Sequence, residues 1–91
     1  MLSDVVTGGA RGIGRAIAQR LSRDGFVVVV DTTAELDWNL ERVELVGGDA
    51  SVADVAFIAA ATAESRAALT GWVNNAAIFR DATLDHAPGR E

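Results

Sequence analysis

The 91-residue sequence contains no cysteine, no tyrosine and no lysine, and it has a single histidine and a single proline. Without cysteine there is neither a disulfide nor a thiolate metal site. Without tyrosine or lysine, no Tyr acid, Lys base or Lys Schiff base can come from these residues. All 8 basic side chains are arginine, against 13 acidic ones, for a net charge of −5. That deficit of positive charge argues against nucleic acid as a partner, because phosphate backbones are met by clustered cations. No apolar run approaches the roughly 20 residues that span a bilayer, so no membrane partner is expected. Met1-Leu2-Ser3-Asp4 lacks the basic segment and apolar stretch of a signal peptide, which makes cytoplasmic the expected location. His86, the lone histidine, lies in a polar tail with no second ligand at suitable spacing, so no metal site is expected.

What is present reads as one small globular domain over 1–91. Hydrophobic residues make up 49% and charged residues 23%, a soluble balance. A domain this short has a thin core. Stretches of strand character alternate with stretches of helical period, the pattern of an α/β fold with a parallel sheet. Residues 2–7 are expected as a first strand and 12–24 as a helix. Ile13, Ile17 and Leu21 recur every four residues on one helix face, with Arg15, Gln19 and Arg23 on another. Gly25 stands where a helix end needs positive φ. Phe26 to Val30 is an unbroken apolar run ending in Asp31, as in a strand covered on both faces. A short helix over 33–40 and a third strand over 43–46 are expected next. Ser51 is the expected N-cap of a helix over 52–69, closed by Gly71, before a fourth strand at 72–74. Trp38, Phe57, Trp72 and Phe79 read as packing residues. The tail beyond Phe79, with Pro88 and Gly89, is polar.

The segment Thr7-Gly8-Gly9-Ala10-Arg11-Gly12-Ile13-Gly14 carries the chemistry. Its glycines follow a strand and open a helix, and Asp31 closes the next strand 17 residues after Gly14. Glycines let backbone approach a diphosphate without an intervening Cβ, and the free N–H groups of a helix start stabilise phosphate. An acidic residue about 20 residues on accepts hydrogen bonds from the adenosine ribose. The pattern points to a dinucleotide. Asp31 repels a 2′-phosphate and favours NAD. Arg11 pulls the other way, toward NADP, which is the less favoured cofactor because Asp31 is expected nearer the ribose.

Thr7 to Gly14, followed by Arg15-Ala16-Ile17-Ala18, closely resembles the short-chain dehydrogenase/reductase family, whose loop is Thr-Gly-x-x-x-Gly-x-Gly. Two further stretches resemble family motifs in register. Gly48-Asp49-Ala50 matches the acidic residue after the third strand, whose side chain contacts adenine. Asn74-Asn75-Ala76-Ala77 matches Asn-Asn-Ala-Gly after the fourth strand, which stabilises the sheet and lines the cofactor site, with Ala77 in place of the usual glycine. The resemblance implies cofactor contacts from Thr7, Gly8, Arg11, Gly12, Ile13, Gly14, Asp31, Asp49, Ala50, Asn75 and Ala76.

It also implies a partial Rossmann fold, a parallel sheet of about four strands in order 3-2-1-4. The first two helices would lie on one face and the third on the other. Ser3 and Asp4 depart from the family's apolar first strand, which is therefore expected to be shortened, and the short interval from Asp31 to Val43 implies an abbreviated second helix. The family's catalytic Ser and Tyr-x-x-x-Lys lie beyond the fourth strand, so no residue here is assigned a catalytic role. The implied function is the cofactor-binding N-terminal part, a fragment, of an oxidoreductase moving hydride between a nicotinamide cofactor and an alcohol or carbonyl. On its own the chain is expected to be inactive. The alternative is a non-catalytic nucleotide-binding module that completes its sheet with a partner chain. An exposed sheet edge invites self-association or such a partner, and Val28, Val30 and Val73 are expected to be partly exposed.

Overall fold

The computed structural model describes residues 1–33, 35–38 and 41–75. In chain order these form strand β1 (Leu2–Thr7), helix α1 (Gly12–Leu21), strands β2 (Phe26–Asp31) and β3 (Val43–Gly47), helix α2 (Ala53–Arg66) and strand β4 (Ala68–Val73). The strands pair in parallel, in the order β3-β2-β1-β4. This is the partial Rossmann α/β architecture that the sequence implies.

The valine run of β2 explains how the layers stack. Adjacent residues of a strand face opposite sides of the sheet. Val28 and Val30 join Val5 beneath Ala59 and Ala63 of α2, whereas Val27 and Val29 join Val6 beneath Ala18 of α1 and Trp38. Alanine at the helix contacts brings each helix close to the sheet. Each fully buried valine contributes about 1.5–2 kcal/mol, an upper figure because unfolded chains already bury some surface. Val28 and Val30 are 0% and 1% exposed, so the expectation that they would be partly exposed is overturned: α2 covers them. Val73 is half-buried, as expected.

β1 runs its full length and is not shortened. Ser3 is fully buried, and its Oγ donates to the Ala67 carbonyl at 2.8 Å, so a polar residue is satisfied where an apolar one was expected. The pairing of β1 with β4 shifts register between Ser3 and Asp4, which face Leu69 and Gly71. Thr70 is the extra residue of this bulge, and its hydroxyl donates to the Ser3 carbonyl. A side chain at Gly71 would collide with the Asp4 carboxylate. Gly71 is therefore a strand residue at a bulge and does not end a helix.

Other boundaries also differ from expectation. α1 stops at Leu21, and residues 22–24 form a turn. Gly25 lacks positive φ; its α-carbon packs against the Leu2 carbonyl, where a side chain would clash. α2 ends at Arg66 because residues from Ala68 onward pair with β1. Val52 stands at its N-cap with no side-chain cap, and Ser51 instead donates to Asp49. Residues 35–38 are irregular and not helical, while 34, 39 and 40 lie outside the described residues. Phe57 is 76% and Ile13 72% exposed, so neither packs in the core. Trp38 is buried, and Trp72 is partly exposed within β4. Ala76, Ala77, Phe79, His86, Pro88 and Gly89 lie outside the described residues.

Candidate cofactor-binding site

Parallel strands bring their C-terminal ends to one end of the sheet. There β1 delivers Thr7 and the glycine turn, β2 delivers Asp31, β3 leads into Gly48-Asp49-Ala50, and β4 leads to Asn75. α1 and α2 lie on opposite faces, so the strand order reverses between β1 and β4, the switch point where doubly wound folds bind ligands.

The turn itself has a defined shape. Gly8 and Gly12 have φ of 67° and 65°, a region that side chains with a Cβ rarely occupy. The Gly8 N–H donates to the Val30 carbonyl at 2.7 Å, tying the turn to β2. Its carbonyl accepts from Asn75 Nδ2 at 3.2 Å, tying the turn to the end of β4. Gly14 packs directly on that junction: a Cβ there would collide with the Gly8 carbonyl and lie 2.7 Å from Asn75 Nδ2. A Cβ at Gly12 would meet nothing within 4 Å, so the turn is open to solvent there. Thr7 is fully buried, and its hydroxyl donates to the Val73 carbonyl at 3.3 Å, joining β1 to β4 just before the turn.

Arg11 occupies the N-cap of α1 with extended backbone, and neither a side-chain cap nor an acidic residue sits in the first turn. The backbone N–H groups and positive dipole end of α1 thus face an opening with no carboxylate in that turn to neutralise them. Arg11 and Ile13 are both exposed beside it.

Asp31 is half-buried and bound to the turn. Its Oδ2 accepts the Ala10 N–H and its Oδ1 accepts the Thr33 N–H, each at 3.1 Å. An ionised carboxylate has about four acceptor positions, so capacity remains for hydroxyl donors. The Asp31 carbonyl accepts the Gly48 N–H at 2.9 Å, which brings the third segment alongside. Asp49 is exposed, with Oδ1 accepting both the N–H and the hydroxyl of Ser51. Ala50 is half-buried against the α2 side of the core.

The structure therefore brings Thr7, Gly8, Gly12, Gly14, Asp31 and Asn75 together through direct contacts or one shared turn. Arg11 and Ile13 border it, Asp49 and Ala50 stand at the adjoining strand end, and Ala76 lies outside the described residues. One neighbour escaped the sequence reading. Trp38 Nε1 donates to the Ala10 carbonyl at 2.7 Å, in a buried hydrogen bond spanning 28 positions. No periodicity or spacing in the sequence signals that contact.

The sequence matches the model of the short chain dehydrogenase family over residues 4–89. Two curated relatives, an uncharacterized oxidoreductase of Mycobacterium bovis and one of Mycobacterium tuberculosis, are each 37% identical over 94 aligned residues. Each alignment covers 88% of this chain and 36% of the relative, so the chain spans about a third of their length. The glycine turn, the strand order and this match agree: the chain belongs to the short-chain dehydrogenase family.

Proposed function

We propose that the chain is the cofactor-binding N-terminal part of an oxidoreductase that moves hydride between a nicotinamide dinucleotide and an alcohol or carbonyl, and that it prefers NAD to NADP. The observation carrying this reading is the glycine cradle: positive φ at Gly8 and Gly12, open space over Gly12, and Gly14 packed on Gly8 and Asn75. Such a cradle admits a diphosphate that any side chain at Gly12 would obstruct. The bound dinucleotide supplies the hydride-carrying ring. The protein's own part is to orient it. The N–H groups at the start of α1 hold the phosphates, and Asp31 accepts the ribose hydroxyls. Asp49 contacts the adenine, and Asn75 steadies the turn through its bond to the Gly8 carbonyl.

The bonds that hold Asp31 support the preference for NAD. Its carboxylate is fixed by the Ala10 and Thr33 N–H groups, so it cannot swing away from a 2′-phosphate without breaking both bonds. The 91 residues contain neither Tyr nor Lys, so the family's proton-transfer pair is not among them and the chain alone is proposed to be inactive. The same reading places it in the cytoplasm; no helix of the described residues is long and apolar enough to cross a membrane.

Thermal melting with each nucleotide tests the proposal. NAD at about 100 times its Kd stabilises a binder by about 2.7 kcal/mol, or more than about 10 °C in a domain this small. NADP is expected to shift melting much less. Asp31→Asn should weaken NAD and bring the two nucleotides toward equal affinity. No shift with either nucleotide refutes cofactor binding, and reduced nicotinamide formed from NAD and a secondary alcohol refutes the inactive-alone reading. The second reading, a nucleotide-binding module completed by a partner chain, draws on β4, which pairs only with β1 among the described residues. It predicts the same nucleotide binding, together with a stoichiometric partner that is recovered with the chain from its source.

A further inference from the structure

Both polar backbone atoms of Ala10 are held by side chains from other segments. The N–H donates to Asp31 Oδ2 at 3.1 Å, and the carbonyl accepts from Trp38 Nε1 at 2.7 Å. Two successive peptide planes flank the Ala10 α-carbon, and each is therefore pinned. Ala10 is itself 6% exposed and Trp38 9%. The indole ring packs with Val6, Ala18, Val27 and Val29, so its N–H comes from a fixed wall of the core. On its outer side the ring carries the Arg15 guanidinium at 5.6 Å from its centroid, and Arg15 in turn pairs with Asp37 at 3.9 Å.

In a trans peptide the carbonyl and the next N–H point in opposite directions, and no peptide bond here is cis. The Ala10 carbonyl is drawn toward the buried indole, so the Arg11 N–H is turned away from the core. Arg11 is the N-cap of α1, beside Gly12 and the open side of the turn. An irregular segment that replaces a helix thus sets the direction of a donor in the glycine turn.

We propose that Trp38 is a positioning residue for diphosphate binding: its indole N–H holds the Ala10 carbonyl inward so that the Arg11 N–H faces the diphosphate. This rests on the dinucleotide reading above. It assigns to Trp38 an effect on the phosphate part of the ligand and none on the adenosine part, since Trp38 holds the carbonyl of the peptide that carries the Arg11 N–H, whereas Asp31 holds the N–H of the preceding peptide. A purely structural role in the core predicts equal loss for both parts.

The test uses the 91-residue chain carrying Trp72→Phe, so that Trp38 is its one indole, and compares it with the same chain carrying Trp38→Phe. Phenylalanine keeps an aromatic ring in the core but removes the donor. Affinities for NAD, ADP and adenosine are measured by calorimetry. The expected result is a loss of about tenfold for NAD and ADP with adenosine unchanged. Equal losses for all three, or no loss, overturn the proposal. Should Trp38→Phe fail to fold, the indole N–H resonance of the Trp38-containing chain decides. It is expected to move when ADP binds and to stay in place with adenosine; an unmoved resonance at saturating ADP overturns the proposal. If the chain with Trp38 binds neither NAD nor ADP, the cofactor reading falls and this proposal with it. If that chain binds them and Trp38→Phe binds them equally well, this proposal alone falls.

Discussion

At the residue scale, Gly12 and Gly14 occupy the same turn for different reasons, and substitution separates them. Gly12 has φ of 65° with open space around its α-carbon. Gly12→Ala therefore strains the backbone by about 1–2 kcal/mol without a clash. Its methyl group stands where a diphosphate would approach, so nucleotide affinity should fall far more than stability. Gly14 lacks positive φ, but its α-carbon abuts the Gly8 carbonyl and the Asn75 amide. Gly14→Ala forces backbone apart and should cost more than about 2 kcal/mol, since overpacking typically costs 1–3. Urea unfolding checks stability and calorimetry checks binding. A larger stability loss for Gly12→Ala than for Gly14→Ala would contradict this division. The turn these glycines make and its tie to Asp31 were legible because a short spacing fixes their geometry. Trp38 was not: hydrophobicity announces burial, but nothing in a linear sequence states which carbonyl a buried indole will meet.

At the element scale, the β1–β4 junction shows how tertiary pairing overrides local preference. The alanine-rich stretch through Ala68 suits a helix, yet the helix yields at Arg66 because residues from Ala68 onward pair with β1, in a ladder broken only at the Thr70 bulge. The β2 strand was readable because its valines are apolar toward both faces. The β4 start was not, since helix ends depend on what the next residues can pair with. The bulge at Thr70 leaves Asp4 facing Gly71, and a side chain at 71 would collide with the Asp4 carboxylate. Gly71→Ala is expected to cost about 1 kcal/mol, because Asp4 can rotate to relieve part of the contact. In an Asp4→Ala background the same substitution should cost close to nothing. A double-mutant cycle by urea unfolding reads the coupling directly. Additive effects would mean that the two residues do not share space and that Gly71 is required for some other reason.

At the scale of the whole molecule, the layers close less completely than the sheet order suggests. α1 and α2 bury the valines of β1 and β2, but α2 is apolar on its outer side as well. Phe57 and Ile58 are 76% and 53% exposed, and Val52 at its N-cap is 47% exposed. An apolar group of this kind on a small domain favours association. β3 and β4 form the outer strands of the described sheet, and each offers an unpaired edge among the described residues. Two surfaces can therefore drive self-association, and they are separable. Phe57→Glu with Ile58→Glu places charge on α2 without touching the core, so stability should change by no more than about 1 kcal/mol. If the helix face drives association, sedimentation of the wild-type chain will show mass rising with concentration, and the double variant will sediment as a monomer. If the variant still associates, the helix face is excluded and the open strand edges remain. A charged residue in place of Trp72, 39% exposed on β4, should then disperse the chain. The strand edge explains association only if that substitution succeeds where the helix variant does not, because charge on an edge blocks pairing with a neighbouring strand.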